Sequence, residues 1–393
     1  MRVRLLKILD VTVGFFLCWT TGYFLHLFRR NGLNELPVTP PLDAIRRILV
    51  IRPGGMGDMI LLQPMLKSLR QHCPQAEIDL VCEKRNRDIP ALAGESGRVL
   101  LYDAHPFGFM RQLRQGRYDV VIDTEQFHYF SAIMTILSRA PVRIGFKINP
   151  GRNTLYTHLV NYDLEGYEAG EFMRLLVPLG INSEAVVKGC LSVPGRVRAR
   201  NNSIVIHVGA STRYKHWATS NYVGLVKRLG GLKSDAHGRS AEIAAGGDCG
   251  TIFLVGGFNE ARLAEDIALQ AGLGDRVKVV AGSLAMQQTA DLIGSAALFI
   301  GGDSGLAHLA VALETPAVVL FGPSDHNKWG VSSPGNVVVR NDLPCAPCSI
   351  FGYHKFCRSI ACMSGITVDQ VMAGVRSALL ERISSSSSDS SAR

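Results

Sequence analysis

The sequence predicts an α/β protein of two domains, each built on a parallel sheet. Three observations predict it. Short apolar runs that end in Gly-rich turns alternate with stretches of helical period from Arg47 onward. The chain has 393 residues, enough for two domains of ordinary size. Its 40 glycines, with 47 % hydrophobic and 19 % charged residues, suit a well-packed core with many tight strand–helix turns.

The first stretch to justify is Val11 to Phe28, VTVGFFLCWTTGYFLHLF, which carries no formal charge and has basic residues on both sides. As a helix it would be about 27 Å long, near the minimum for crossing a bilayer. It has no small-x-small cleavage site. Three arrangements compete: a helix lying in the membrane interface, a spanning anchor, and a helix packed on the protein. Positive charge on both flanks and the presence of Trp19 and Tyr23 favour the first. Residues 1–46 are therefore expected to be a membrane-associating segment and linker, the linker marked by Gly32, Pro37, Pro40 and Pro41.

The first domain is expected over 47–190. Arg47 to Ile51 is a buried strand, followed by Pro53-Gly54-Gly55-Met56-Gly57-Asp58 and a helix from Met59 to His72. Gly54, Gly55 and Gly57 let backbone approach a ligand, an acceptor loop. Asp58 stands in the first turn of the helix, either as a cap or as a functional carboxylate. Further strands are expected at Glu77–Cys82, Val99–Tyr102, Tyr118–Asp123 and Val142–Phe146, with helices at Phe107–Gln115, Tyr129–Ser138 and Glu171–Leu179. Asp123 and Glu125 end a strand and either touch an acceptor or lie in a solvated loop. Lys147, Arg152, Tyr156 and His158 could meet acceptor phosphates, but read more readily as a plain surface loop.

The second domain is expected over 203–383. The strand Ser203–Val208 runs into Ser211, Thr212 and Lys215, hydroxyls and a point charge suited to a diphosphate. Trp217 is expected to open a helix. A surface loop at 232–250 leads to the strand Thr251–Val255, and Glu260 starts the next helix. After the strand Val277–Val280, the loop holding Met286 could line a base pocket. Leu298 to Phe321 then reads as strand, turn, helix and strand. Asp303 or Ser304 caps that helix, and Gly305 and His308 lie in its first turns. Such a helix start favours a phosphate, and ligands of open parallel sheets bind at this carboxyl edge. Asp303, itself anionic, suits a sugar or ribose hydroxyl instead.

Cys345, Cys348, Cys357 and Cys362 fall within 18 residues. They could hold structural zinc or an iron–sulfur cluster, form disulfides, or pack as free thiols. Nine cysteines, an odd and scattered set, do not form a secreted disulfide framework. Val368 to Leu379 marks a terminal amphipathic helix, and 384–393 reads as a disordered Ser-rich tail.

D-S-G-x-x-H-x-A-x-A-L-x-x-P-x-V-x-L-F-G-P at 303–323 resembles the donor-site signature of the heptosyltransferase-like glycosyltransferases, glycosyltransferase family 9. The resemblance extends over most of 47–375. It implies a GT-B type fold, two Rossmann-like domains with parallel sheets facing a central cleft. It implies inverting, metal-independent transfer with no required cofactor. The donor is a nucleotide-diphosphate sugar, ADP-heptose by resemblance, and the acceptor a lipopolysaccharide core or related glycolipid. The site would be at the cytoplasmic face of the inner membrane. Asp58 then corresponds to the proposed base and Glu260 to a nucleoside contact. Lys215 lies in an element resembling K-x-W-P, with Ala218 where proline is usual.

The net charge of +9, of which +4 falls in residues 1–47, fits anionic lipid or phosphorylated substrates. No nucleic-acid motif accompanies it. A transferase of the same fold using another nucleotide sugar remains open. So do a nicotinamide-dependent oxidoreductase, though G-x-G-x-x-G is missing, and a membrane-tethered nucleotide-binding module.

Overall fold

The computed structural model describes residues 9–389 except 31–37, 95–96, 105, 183–189, 192–200, 232–248, 331–332, 352 and 355–356. The basic residues before Leu9, most of the expected linker and interdomain segment, and most of the 232–250 loop fall outside the described residues. So do the last four residues of the expected tail. The chain divides into two compact units, Met1–Val186 and Val187–Arg393.

The first unit holds β1 (Arg47–Ile51), β2 (Glu77–Cys82), β3 (Val99–Leu101), β4 (Val120–Asp123), β5 (Val142–Lys147) and β6 (His158–Asn161). They form one sheet, ordered β3-β2-β1-β4-β5-β6, and every pairing is parallel. β1 and β4 read as unbroken apolar runs because the sheet is covered on both faces. Leu49, Ile51, Val81, Val121 and Leu113 share one core cluster.

The second unit repeats the plan. β7 (Ile204–His207), β8 (Ile252–Val255), β9 (Val277–Val279), β10 (Leu298–Gly302), β11 (Ala317–Phe321) and β12 (Asn336–Arg340) are ordered β12-β11-β10-β7-β8-β9. Their pairings are also all parallel. A small hairpin, β13 (Ser349–Ile350) with β14 (Tyr353–His354), follows. In both units the strand order reverses beside the first strand, between β1 and β4 and between β7 and β10. That is the doubly wound order in which ligands meet the carboxyl ends of the two central strands. Register puts Ile51 opposite Asp123 in one unit and His207 opposite Gly301 in the other.

Several elements differ from the sequence expectation. The helix after β1 begins at Met56, three residues early, and is interrupted at Leu62 before resuming at Gln63–His72. β6 and β12 have weak alternation and were not anticipated. Trp217 does not open a helix: the helix is Thr219–Gly230, and Trp217 is buried with its indole N–H donating to the Ile366 carbonyl at 2.8 Å. The terminal helix runs Val368–Asp389, so the part of the expected tail up to Asp389 is helical.

The N-terminal segment forms a π-helical turn, Asp10–Gly14, continuing as the helix Phe15–Arg30. Asp10, Gly14, Cys18 and Gly22, four residues apart, are buried along one side. Cys18 packs with Ala132, Leu155 and Tyr156. A Cβ on Gly14 would fall 2.9 Å from Tyr129 Cβ, and one on Gly22 would fall 2.3 Å from Thr154 Oγ1, so the seam needs glycine at both places. Val11, Val13, Phe15, Phe16, Trp19, Tyr23 and Phe24 remain exposed. Among the described residues no helix is long and apolar enough to cross a membrane.

Candidate active site

The second unit gathers its polar groups at the β7/β10 switch point. Ser304 is the N-cap of the helix Gly305–Ala312, with extended backbone. Its hydroxyl does not cap the helix; it lies 3.1 Å from His207 Nδ1. Asp303 follows β10 directly and is buried. Its Oδ2 accepts from Lys215 Nζ at 2.5 Å, and its Oδ1 stands 4.0 Å from His308 Nε2. Burial pushes the Asp303 carboxyl up, but Lys215, His308 and a hydrogen bond from Ser324 outweigh it and hold it below the usual carboxylate range. Burial, with His216 nearby, depresses His207 to about 4 and keeps it neutral.

Lys215, Asp303, Ser304, Gly305 and His308, singled out from sequence, therefore form one group. Asp303 is not free to serve a sugar hydroxyl alone, because a lysine already holds it. Glu260 sits at the same edge: Cβ atoms on Gly209 and Gly256 would fall 3.2 Å from its Cγ and 2.9 Å from its Cβ. Thr212 Oγ1 is buried and, among the described residues, has no hydrogen-bond partner. Ser211 is exposed, and Met286 begins the helix Met286–Ser295; no described hydrogen bond or ion pair ties either to Asp303. His207 was missed because it reads as one polar residue in an apolar strand.

The first unit gathers its polar groups at the β1/β4 switch point. Gly54 adopts φ +137°, which a side chain resists, and the chain then turns into the helix Met56–Leu61. Asp58 is the third residue of that helix, and its Oδ2 accepts from Gly55 N at 3.0 Å. Its Oδ1 lies 3.1 Å from Arg52 NH2. The cap reading of Asp58 is thus met in geometry, and the same carboxylate also pairs with a buried arginine. Arg52 is buried; its NH1 donates to the Thr124 carbonyl at 2.9 Å and lies 3.6 Å from Glu125 Oε1. Burial opposes its charge, but Asp58, Glu125 and Glu168 overcome this and fix it as a cation. A Cβ on Gly54 would make ordinary contact with Asp58 Oδ2 at 3.4 Å and Glu125 Oε1 at 3.5 Å, so the positive φ, not space, is what asks for glycine here.

Asp123 and Glu125 are not in a solvated loop, and Arg152 and Tyr156 are not on the surface. All four are buried. Asp123 Oδ2 accepts from Arg152 NH2 and from Tyr156 OH, both at 2.7 Å. Arg52 carried no sequence signal beyond following a strand, and the Arg152–Asp123 contact joins residues 29 apart. Among the described residues no three His, Cys, Asp or Glu side chains form a set that could hold a metal ion, and Cys348, Cys357 and Cys345 lie near enough to Cys362 to help raise its thiol, after burial. None of them is in a disulfide.

Residues 241–352, which contain the Asp303–His308 group, match the sequence model of glycosyltransferase family 9 (heptosyltransferase). Lipopolysaccharide heptosyltransferase 3 of Escherichia coli is 29% identical over 300 residues, spanning 70% of this chain and 82% of that protein. Lipopolysaccharide heptosyltransferase 1 of Pseudomonas aeruginosa is 25% identical over 335 residues, spanning 77% and 86%. The solved structure of an E. coli ADP-heptose lipopolysaccharide heptosyltransferase II superposes with a TM-score of 0.65 at 22% identity, covering 86% of this chain and 99% of that one. The two doubly wound parallel-sheet units have the GT-B type fold of that structure. In sequence the chain is similar to the heptosyltransferases of glycosyltransferase family 9.

Proposed function

We propose that the enzyme transfers heptose from ADP-heptose, with inversion, to a sugar of a lipopolysaccharide core or related glycolipid. The observation that carries this reading is the Lys215–Asp303 pair beside the N-terminus of the Gly305–Ala312 helix; Asp303 and that helix lie within the stretch that matches the heptosyltransferase family. A lysine, a helix start and the unpartnered Thr212 hydroxyl are complementary to a leaving diphosphate.

In the reaction the acceptor hydroxyl oxygen attacks the anomeric carbon from the face opposite the diphosphate. The carbon–oxygen bond to the diphosphate breaks, and its electron pair leaves with that group. Asp58 takes the hydroxyl proton. Lys215, Thr212, Ser211 and the backbone N–H groups near Ser304 and Gly305 neutralise the departing charge. Glu260, Met286 and His308 belong to the nucleoside and sugar pocket, and Gly54, Gly55 and Gly57 admit the acceptor. This chemistry asks for no cofactor and no catalytic metal.

The exposed apolar side of the N-terminal helix, with Trp19 stacked on Tyr23, serves attachment to the cytoplasmic face of the inner membrane. A helix of this kind lies on a bilayer and does not cross it.

A panel of sugar nucleotides tests the reading by thermal stabilisation and by transfer to heptose-free core glycolipid. ADP-heptose should stabilise most and be consumed with inversion. Stronger stabilisation and turnover with a different nucleotide sugar would overturn the donor assignment. A protein lacking residues 1–40 that still fractionates with membranes as fully as the whole chain would overturn the attachment.

A further inference from the structure

The helix Tyr129–Leu137 begins beside the first-unit site, and its own N-cap, His128, supplies no side-chain cap bond. Its free N–H groups are met from far away in sequence. Asp10 Oδ1 accepts from Phe130 N at 2.7 Å, and Oδ2 accepts from Tyr129 N at 3.1 Å. Asp10 also reaches the ring of His128, Oδ2 to Nδ1 at 3.2 Å. The other ring nitrogen, Nε2, stands 3.8 Å from Glu125 Oε2. An imidazole with a carboxylate on each nitrogen satisfies both only when both nitrogens carry protons. From Glu125 the contacts continue to Arg52 at 3.6 Å and from Arg52 to Asp58 at 3.1 Å. Asp10, His128, Glu125, Arg52 and Asp58 thus form one line of alternating charge, running from the N-terminal helix to the acceptor-side carboxylate.

We propose that the N-terminal helix positions the catalytic carboxylate: Asp10, acting through His128, Glu125 and Arg52, holds Asp58 in its working place, so that turnover depends on the helix being seated. The proposal rests on the reading of Asp58 as the base. Asp10 and His128 touch no substrate; they are positioning residues. Arg52 is the element that acts on Asp58, and it has little freedom of its own. It is buried, bonded to the Thr124 carbonyl and stacked 5.0 Å from the Phe172 ring centre. Glu125 stands between two cations, 3.6 Å from Arg52 and 3.8 Å from His128, so its carboxylate is shared between them.

The charged groups facing His128 are Asp10, Glu125 and Arg152. Burial and Arg152 work against its proton, but the two carboxylates outweigh them and raise it above its ordinary value. Glu125 is raised by burial, while Arg52 and His128 pull it down and Asp123 and Asp58 push it up. The bridge is therefore complete between the raised value of Glu125 and the raised value of His128, and it is lost as pH rises through the latter. Removing Asp10 lowers that value, so the loss moves to lower pH.

The experiment uses full-length Asp10→Asn, His128→Gln and Asp58→Asn proteins, with kcat and donor KM measured across pH. Asp10→Asn keeps the size and one acceptor for the helix start while removing the charge. His128 is 38 % exposed, so its replacement is tolerated by the fold. The expected result is an inactive Asp58→Asn protein and an Asp10→Asn protein with kcat reduced on the order of tenfold at unchanged donor KM. The alkaline limb of kcat should move to lower pH in Asp10→Asn and vanish in His128→Gln. A merely structural role would lower the folded fraction and leave the limb in place. Wild-type kcat and limb in both Asp10→Asn and His128→Gln, beside an inactive Asp58→Asn, would overturn the positioning alone. Near-normal turnover by Asp58→Asn would overturn the base assignment, and the positioning with it.

Discussion

Nζ of Lys215 lies 2.5 Å from Oδ2 of Asp303, and the two side chains are only 16 % and 8 % exposed. A charge pair this dry is worth little net as a pair, because both ions gave up water to form it, but removing one partner strands the other. Lys215→Ala should therefore lower stability by about 3 kcal/mol and weaken donor binding at the same time. Chemical denaturation and donor titration check both. The double variant Lys215→Met with Asp303→Asn should recover part of the stability but none of the binding.

The same pair gives acid sensitivity with a definite sign. Asp303 is held below the usual carboxylate range, so it binds a proton less readily folded than unfolded. Its contribution to stability is complete above the unfolded value, about 3.9, and disappears as pH falls through the lower folded value. The stability gap between wild type and Asp303→Asn should be constant from pH 7 to about 5 and close below pH 4. Denaturation at a series of pH values measures it.

Thr212→Val separates folding from binding. Thr212 Oγ1 is buried with no partner among the described residues, so a methyl in its place removes an unmet hydroxyl. Stability should stay level or rise by about 1 kcal/mol. Donor affinity should fall several-fold, read by calorimetric titration. Unchanged affinity would show that the hydroxyl serves no ligand.

Gly22→Leu tests the seam of the N-terminal helix. Even a Cβ there would meet Thr154 Oγ1 at 2.3 Å. The larger side chain should cost about 1–3 kcal/mol or undock the helix, seen as faster proteolysis near residue 30. Thr20→Leu, at a half-buried place off the seam, should leave cleavage unchanged.

Arg152→Leu should be more damaging than any surface charge reversal. Arg152 NH2 and Tyr156 OH both serve Asp123, and all three are buried. Loss of the guanidinium leaves a carboxylate without a countercharge and should cost about 3–5 kcal/mol. Thermal melting of the full-length protein reads the loss.

The parallel sheets were legible because β1, β4, β10 and β11 are covered on both faces and read as unbroken apolar runs. The Asp303–His308 group was legible because Asp303, Ser304, Gly305 and His308 sit within six residues. What escaped was set by distance along the chain. Arg52 meets Glu125 across two strands, and Asp10 meets His128 across 118 residues. Nothing local in either member of such a pair marks the other. The Arg152–Tyr156 stretch misled for a related reason: charged and aromatic residues read as surface unless their buried partner is known.

The four-residue stagger of Asp10, Gly14, Cys18 and Gly22 fixes how the N-terminal helix can turn about its own axis. Locked by glycine contacts to Tyr129 and Thr154, it cannot roll, so Phe16, Trp19 and Phe24 point away from the first unit in one set direction. Any lipid surface that grips those rings must grip the first unit in a single pose. The half of the molecule that carries Asp58 would then be held to such a surface at one fixed angle.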